Sequence, residues 1–281
     1  MESPKVVVRL AGGLGNQLFQ YAAARRLAYT NDVPLYLDAI SGFERDPYKR
    51  SYSLCHFNIK TQMASPAQCY AGNMRRIFRY ILRKWDTRKP IAQRKFIRES
   101  TDSVDSEFLN LKITKPVYVE GYWQSEKYFA DIADIIRDEL SVVSPMAPAV
   151  AEMASRIEGA DNSVCVHVRH LYHLGRTDNE RTNEVDIDYY RRAIDLIMQK
   201  VKRPHFFVFS DDAEWADREF APLLLSEYPY TIVDKKLRGR DFESLHLMSR
   251  CHHFITSFST FSWWGAWLGK KKDKIVCTND R

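Results

Sequence analysis

Polar residues that could bind an anion follow an apolar run in the second half of the sequence. The run "VCVHVRH" ends with His167 and Arg169, which share one face of a strand because side chains two positions apart point the same way. A planar, permanently charged guanidinium at a strand end is suited to clamping a phosphate group. The alternative for Arg169 is an ion pair with a structural carboxylate.

Two further runs end in the same manner. The run "FVFSDDAEW" ends in Asp211 and Asp212. We expect one of them to cap the following helix and the other to be free to accept hydrogen bonds from a base edge or a sugar. The segment "ITSFSTFSWWGAWLG" places Ser257, Ser259 and Thr260 before an aromatic helix, where hydroxyl groups and helix N-terminal amides could bind an anion. We expect its tryptophans in the core.

The glycine cluster "LAGGLGNQLFQ" near the N-terminus is a second place for a phosphate. It follows the apolar run 6–8 and leads into a helical pattern, a context in which backbone N–H groups meet an anion. With Gly13 and Gly15 as the first two glycines of an NAD-binding fingerprint, the third position is occupied by Leu18. Asp38, at the end of "VPLYLDA", stands where a ribose-binding acid would lie. The cluster alone leaves an NAD site and another phosphate site open.

Metal-binding patterns are weak in this sequence. His167, His170 and His173 are spaced by three, but no fourth ligand accompanies them. Asp186 and Asp188 form a D-x-D pair of the kind that holds Mg²⁺ or Mn²⁺, yet they open the helical pattern "YYRRAIDLI", where helix capping explains them. We therefore predict no metal and no other cofactor.

The alternation of strand-like and helix-like segments along the 281 residues predicts parallel βαβ units, hence an α/β fold. The proline-bearing stretch "SVVSPMAPAVAEM" is the predicted linker, with a long helix expected before it over 125–140. We therefore expect two Rossmann-like domains, residues 1–145 and 146–281. Their strands' carboxyl ends would face a ligand cleft.

From composition and cysteine usage we expect neither a membrane span nor a secreted protein. The sequence has no run of about 18 uncharged apolar residues, and it enters a strand without an apolar leader. Its five cysteines are scattered and form no C-x-x-C pair: Cys55, Cys69, Cys165, Cys251 and Cys277. Reduced thiols in a cytoplasmic protein are the expectation.

The positive charge of the chain is concentrated in a basic segment, residues 72–98. Ten Lys or Arg residues stand there against the single acid Asp86, a local charge of +9 in a chain of net charge +6. Apolar residues interleave at helical spacing: Ile77, Phe78, Ile81, Leu82 and Trp85. One hypothesis is a helix whose apolar face is core and whose charges are solvated. The other is a peripheral contact with the inner face of an anionic membrane. No nucleic-acid module accompanies the charge, so nucleic acid is not an expected partner.

Six segments, in this order, resemble the bacterial-type α-1,2-fucosyltransferase family: "GGLGNQLFQYAAARRLA", "YSLCHFNI", "EGYWQSEKYF", "HVR", "FVFSDDAEW" and "SFSTFSWWGAWL". The resemblance implies a GT-B-like, metal-independent enzyme that moves L-fucose from GDP-β-L-fucose to O2 of a terminal β-galactoside, with inversion. It implies acceptor recognition mainly in the first domain and GDP binding mainly in the second. The acceptor would be a galactose-terminated glycan, and a lipid-linked glycan is one form of it.

The resemblance and the motifs together yield a predicted site. The residues predicted to bind the donor are Gly13, Gly15, Asn16, His167, Arg169, Asp211, Asp212, Ser257, Ser259 and Thr260. Arg169 would stabilise the charge on the leaving GDP, either alone or together with Arg176. The candidates for the general base are His170, Asp178 and Glu180. Relatives commonly carry H-x-R-R-x-D, whereas here His170 and Tyr172 replace the second Arg and the Asp.

Two other functions stay open at this point. One is an NAD-dependent oxidoreductase built on Gly13, Gly15 and Asp38. The other is a catalytically inactive glycan-binding relative, which the altered arginine motif suggests.

Overall fold

Parallel strands alternate with helices along the chain, as the sequence predicts, and they form two separate sheets. A computed structural model describes residues 2–99, 103–170, 185–233 and 240–279. The chain divides into two units, Met1–Ser144 and Pro145–Arg281.

The first unit is built on a five-stranded parallel sheet of order β3–β2–β1–β5–β4. Its strands are β1 (Val6–Arg9), β2 (Leu35–Asp38), β3 (Gln62–Met63), β4 (Phe96–Arg98) and β5 (Val117–Glu120). In the central strand, Val6 lies opposite Leu35 on one side and Val117 on the other. Because all five strands run the same way, their carboxyl ends share one edge of the sheet.

The helices of the first unit are α1 (Leu14–Thr30), α2 (Asn73–Asp86), α3 (Ser106–Leu109) and α4 (Ala133–Glu139). Short 3₁₀ turns cover Leu54–His56, Ile91–Gln93, Glu126–Tyr128 and Ala130–Ile132. The prediction of one helix over 125–140 is wrong. Phe129, between the two later turns, has a φ of −147° and a ψ of 13°, which is neither helical nor extended, and this backbone interrupts the helix.

The second unit contains a five-stranded parallel sheet of order β10–β9–β6–β7–β8. The strands are β6 (Asn162–Val168), β7 (Pro204–Ser210), β8 (Tyr230–Ile232), β9 (His253–Ile255) and β10 (Val276–Cys277). The helices are α5 (Pro148–Gly159), α6 (Ile187–Lys200), α7 (Ala213–Trp215), α8 (Ala221–Leu225), α9 (Asp241–Arg250) and α10 (Thr260–Leu268). A π-helical turn, Ala216–Phe220, joins α7 to α8.

Helix α5 begins inside the stretch that the sequence indicates as a linker. Pro148 is its first residue, where the fixed φ of proline suits a helix and its missing N–H has no intrahelical partner to lose. Val150 and Ile157 on this helix are buried against the second sheet's core. The linker prediction for 141–153 is therefore wrong from Pro148 onward.

Strands β6 and β7 are buried on both faces, as expected for a parallel sheet covered by helices. Val164 and Val166 pack with Tyr190 and its neighbours on α6. Cys165 points to the opposite face and packs with Phe207. The two core layers hold the polar carboxyl ends of these strands in place.

The basic segment is not one helix. Helix α2 ends at Asp86, and the chain returns through a turn to β4. Of the interleaved apolar residues, Leu82 packs against the core, whereas Ile77, Phe78, Ile81 and Trp85 are exposed. The hypothesis of an apolar core face under solvated charges is therefore wrong.

Among the described residues, no helix has both the length and the apolar character needed to cross a bilayer. All five cysteines are free thiols, four of them buried and Cys55 exposed.

Candidate functional site

His167 links two strand ends at the carboxyl edge of the second sheet. Its ring Nδ1 lies 2.7 Å from Oγ of Ser257, which follows β9, and its carbonyl oxygen accepts from the Tyr190 hydroxyl at 2.7 Å. Only 5% of the residue is exposed. Burial, and secondarily the positive charge of Arg169, lower the pKa of His167 from 6.5 to about 3. The imidazole is therefore neutral at physiological pH.

Arg169 follows the last residue of β6 and is half-buried. Its charge acts on His167, so the guanidinium belongs to the same sheet edge. An arginine held at this edge beside a neutral imidazole provides a fixed positive charge with a planar fork of donors.

His170 is held by three contacts. Its backbone N–H donates to Oδ1 of Asp211 at 2.7 Å, and its ring Nδ1 lies 3.0 Å from Oδ2 of Asp212. The ring stacks on the indole of Trp215, with centroids 4.1 Å apart and planes at 7°. Both the position and the plane of the imidazole are thus fixed.

Asp212 is the acid that caps the helix after β7. Its Oδ1 accepts from the backbone N–H of Trp215 at 3.1 Å. Burial by itself raises the pKa of Asp212, but hydrogen bonds from the Trp215 backbone and from His170 outweigh it, so the pKa lies below its ordinary value. The prediction that one acid of the pair caps this helix is confirmed.

Asp211 is exposed, but it is not the unengaged acceptor that the sequence suggests. One of its carboxylate oxygens accepts from the His170 backbone. The expectation of a free second acid is wrong in this respect, because the His170 backbone, two residues after β6, reaches the acid that follows the neighbouring strand β7.

The hydroxyl groups near α10 are largely used within the protein. Ser259 caps the helix, its Oγ accepting from the backbone N–H of Phe261 at 3.3 Å. Thr260 is the first residue of α10. Trp264 and Trp267 are buried, as predicted, whereas Trp263 is half-buried. Of the predicted hydroxyl contacts, Ser257 braces His167 and Ser259 forms the cap.

Several predicted residues lie outside the described residues: Asp178, with Tyr172, His173, Arg176 and Glu180.

Both acids of the D-x-D pair have partners within the protein. Asp186 caps α6 by accepting from the backbone N–H of Tyr189 at 2.9 Å, and Asp188 pairs with Arg191 at 2.9 Å. The capping interpretation of Asp186 is confirmed. Within the ranges that the structure describes, no group of three or more His, Cys, Asp or Glu residues is placed to hold a metal ion.

The glycine cluster forms the turn between β1 and α1 in the first unit. Gly12 has a φ of +79°, a left-handed value that favours glycine. Gly13 stands at the N-cap, and a side chain there would meet open space. Gly15 is buried in the first helical turn, and Oδ1 of Asn16 accepts from Nε2 of Gln124 at 3.1 Å.

Two buried glutamines that sequence reasoning missed shape this turn. Nε2 of Gln17 donates to the carbonyl oxygens of Gly12 and Ser51, at 2.9 and 3.0 Å. Oε1 of Gln20 accepts from the backbone N–H of Ala11 at 2.9 Å. The signal was present in the sequence, because two glutamines three apart interrupt the apolar side of a helix.

Asp38 is a structural carboxylate. It is fully buried, and it accepts from the Tyr118 hydroxyl at 2.5 Å and from the backbone N–H groups of Ser41 and Ile40 at 2.9 and 3.0 Å. Leu18, at the place of the third fingerprint glycine, is packed in the core. A ribose cannot reach this acid, so the NAD-dependent hypothesis is wrong.

Comparison with known proteins decides the family. Residues 5–280 match Glycosyl transferase family 11. The chain belongs to this family. It is 27% identical to an alpha-1,2-colitosyltransferase of Escherichia coli, over 94% of this chain and 87% of that protein. It is also 27% identical to the O-antigen biosynthesis glycosyltransferase WbnK of Escherichia coli, over 95% and 91% of the two chains.

Solved structures of low sequence identity share the fold. Fucosyltransferase NodZ from Bradyrhizobium aligns with a TM-score of 0.53 at 14% identity, covering 94% of this chain and 92% of its own. The family member described here is therefore a glycosyltransferase, and its α/β fold is GT-B-like. The predicted family resemblance and fold class are confirmed.

Proposed function

We propose that this family 11 member transfers L-fucose from GDP-β-L-fucose to O2 of a terminal β-galactoside, forming an α-1,2 linkage with inversion. Family membership and the α-1,2-colitosyltransferase relative support the linkage. A structure of NodZ soaked with GDP-fucose supports the donor. The observation that carries the proposal is the position of Arg169 directly after β6, at the sheet edge where the buried His167 contacts Ser257.

In this reaction the bond between fucose C1 and the diphosphate oxygen breaks, and the bond between C1 and the acceptor O2 forms. Negative charge then builds on the departing GDP. Arg169 is proposed to stabilise that charge, because it can offer two parallel N–H donors to phosphate oxygens without a metal ion. His167, neutral and braced by Ser257, adds no positive charge of its own at this edge, so the task is assigned to Arg169.

The proton of the acceptor O2–H must pass to a base. We propose His170 for this role. If its Nδ1–H donates to Asp212, then Nε2 is left as the accepting nitrogen. Stacking on Trp215 fixes the ring plane, which is the arrangement of a base oriented by a carboxylate. Asp178 is the second candidate, and it lies outside the described residues.

For base recognition we propose Asp211 rather than Asp212, because Asp212 is already committed to the helix cap and to His170. A carboxylate can accept from guanine N1–H and N2–H₂ together, and adenine lacks that donor pair. Contacts of Gly13, Gly15, Asn16 and Thr260 with the donor remain predictions. So do a lipid-linked acceptor glycan and a cytoplasmic location.

The direct test is an assay of the purified chain with GDP-fucose and a panel of β-galactosides, with the product linkage read by NMR. A fucosyl α-1,2-galactoside is expected. The same assay is repeated with the nucleotide donor of colitose, because a colitosyltransferase is among the relatives. If the enzyme turns over the colitose donor but not GDP-fucose, colitose replaces fucose as the proposed transferred sugar. Glycan binding without turnover of either donor would favour the inactive, glycan-binding alternative.

The base assignment needs its own variants. In Asp212→Asn the amide oxygen can still cap α7, but the carboxylate partner of His170 is lost. We expect kcat to fall about tenfold in Asp212→Asn and about 100-fold in His170→Ala, the lower scale of general-base catalysis, with the acceptor KM little changed. Asp195→Asn on α6, an exposed acid, is the control. Unchanged kcat in His170→Ala would move the role to Asp178.

A further inference from the structure

Helix α2 turns its apolar face outward. Five large apolar side chains along it are exposed to between 48% and 80%: Met74, Ile77, Phe78, Ile81 and Trp85. Their spacing of three and four residues places them on one stripe of the helix. Large apolar residues clustered in this way on a surface indicate a binding face rather than ordinary exposure.

The inner face of α2 carries two arginines beside the core contact of Leu82, and the ion pairs of these arginines hold the helix in this orientation. Arg79 Nε lies 3.4 Å from Glu120 Oε1, and Arg83 Nη1 lies 3.2 Å from Glu120 Oε2. Glu120 is buried at the end of β5. At the last turn, the buried Asp86 accepts from the backbone N–H of Phe96 at 2.8 Å. The helix is therefore attached through carboxylates, and its apolar stripe is not needed for the core.

Positive charge borders the apolar stripe. Lys84 and Arg88 are exposed, and the Arg88 guanidinium lies 5.5 Å from the centre of the Trp85 ring. The only acid of the basic segment, Asp86, is buried at the end of the helix. The exposed surface of this segment thus combines aromatic and aliphatic groups with cations and carries no exposed carboxylate of its own.

We propose that α2 lies in the interface of an anionic lipid membrane, with its apolar stripe among the lipid chains and Lys84 and Arg88 at the phosphate level. Apolar and aromatic side chains flanked by Lys and Arg, on a helix parallel to the surface, are the features of an interfacial helix. A helix of 14 residues presents about 21 Å of such surface.

The charge argues against a second copy of this chain as the occupant. Two copies meeting through this face would place two segments of charge +9 against each other. An anionic bilayer instead supplies the opposite charge and an apolar phase together. The inference does not depend on the sugar or the acceptor that the enzyme uses.

Insertion and charge attraction make different predictions about salt. Attraction to lipid phosphates is screened, because the Debye length falls to about 3 Å at 1 M salt. Burial of apolar side chains is not screened. Binding through this face should therefore weaken with salt but persist in part.

The experiment is flotation of the full chain with vesicles of phosphatidylglycerol and phosphatidylcholine, and with phosphatidylcholine alone, at 0.1 M and 1 M salt. The apolar variant is Phe78→Ser/Trp85→Ser and the charge variant is Lys84→Glu/Arg88→Glu. Matched controls in the second unit are Leu223→Ser, which is 58% exposed, and Lys271→Glu/Lys272→Glu. Substitutions at Arg79 or Arg83 are avoided, because they would unpair the buried Glu120.

We expect partitioning to anionic vesicles to fall at least tenfold in the apolar variant at both salt concentrations, on the scale of burying one aromatic side chain. The charge variant should lose binding mainly at 0.1 M salt. Both controls should bind as the unchanged chain does, and all variants should keep its melting temperature, because the substituted groups are exposed. Absence of binding to anionic vesicles at 0.1 M salt would overturn the proposal. So would equal binding by the apolar variant, or a concentration-dependent dimer that this variant abolishes while vesicle binding is unchanged.

Discussion

The Nδ1 atom of His167 lies 2.7 Å from Oγ of Ser257, a contact that joins the end of β6 to the segment before α10. His167 lies in the last two residues of β6, and Ser257 follows β9, which is the neighbouring strand of the same parallel sheet. This hydrogen bond satisfies an imidazole that is almost wholly buried. It also fixes the direction in which the chain leaves β6 toward Arg169.

We therefore expect Ser257→Ala to lower the free energy of unfolding by about 1–3 kcal/mol, because the buried imidazole loses its partner. Urea denaturation measures the change. The control is Ser155→Ala, whose hydroxyl donates only to the carbonyl oxygen of Ala151 on an exposed part of α5. A loss in Ser257→Ala no larger than in the control would contradict the bracing role.

The pH dependence of stability follows from the pKa of His167. This pKa is about 3 in the folded chain against 6.5 for an ordinary histidine, so the unfolded chain binds the extra proton between these values. Stability should therefore fall as the pH drops below about 6.5, with a contribution of about 1.4 kcal/mol per pH unit from this group. His167→Gln should reduce the slope by that amount between pH 6 and 4. Equal slopes in the two proteins would show that the imidazole is protonated in the fold.

Arg169→Ala should reduce kcat/KM at least about 100-fold, the scale of removing one preorganised stabilising group. Arg169→Lys should recover little, because a point charge does not replace a planar fork of donors. The melting temperature should stay near that of the unchanged chain. Arg203→Ala, at a largely exposed arginine paired with Asp161, is the control. More than a tenth of the original kcat/KM in Arg169→Ala would exclude the proposed role.

Asp211→Asn should weaken GDP binding and reduce the preference for GDP over ADP, because the amide cannot accept from both guanine donors. Its stability should change little, since Asp211 does not cap the helix. Binding is measured by calorimetry with each nucleotide. If GDP affinity is unchanged, the base is recognised by other residues.

EDTA should leave transfer unchanged, because we assign the diphosphate charge to Arg169 and assign Asp186 to the cap of α6. The assay is run after dialysis against the chelator, with and without added Mn²⁺ or Mg²⁺. If activity is lost and either cation restores it, the prediction is contradicted. Asp186 and Asp188 would then again be the candidate metal ligands.

Strand positions and the order of elements could be predicted from the sequence because buried parallel strands are short apolar runs bounded by polar residues. The stretch "SVCVHV" became β6 and "HFFVFS" became β7 with small differences at their ends. The resemblance of separate motifs to one family succeeded for a similar reason, since most of those motifs stand at strand ends.

The contacts within the site could not be predicted, because they join residues far apart in the sequence. Nothing local indicates that Ser257 meets His167, or that Asp212 both caps a helix and holds His170. Asp38 misled for the same reason: its position suggested a ligand, whereas its partner Tyr118 lies on a strand that neighbours β1 from the other side.

The prediction that the apolar face of α2 packs against the core was wrong for a different reason. Periodicity shows that a helix has two faces, but the assumption that the apolar face points inward comes from typical proteins. Here the buried carboxylate of Glu120 attracts Arg79 and Arg83, and that interaction decides which face is inside.

Because α2 is attached through Glu120, the residues on its exposed face can be replaced without loss of this attachment. Its stripe of Met74, Ile77, Phe78, Ile81 and Trp85 contributes exposed rather than core area, so selection can change these residues without remodelling the sheet beneath. A protein engineer has the same freedom: the stripe can be rewritten with polar residues for crystallisation, or with a different binding sequence, while the arginine pair keeps the helix docked. The buried carboxylate of Glu120 sets the position of this helix, whereas the exposed stripe sets its binding partner, so the two can change independently.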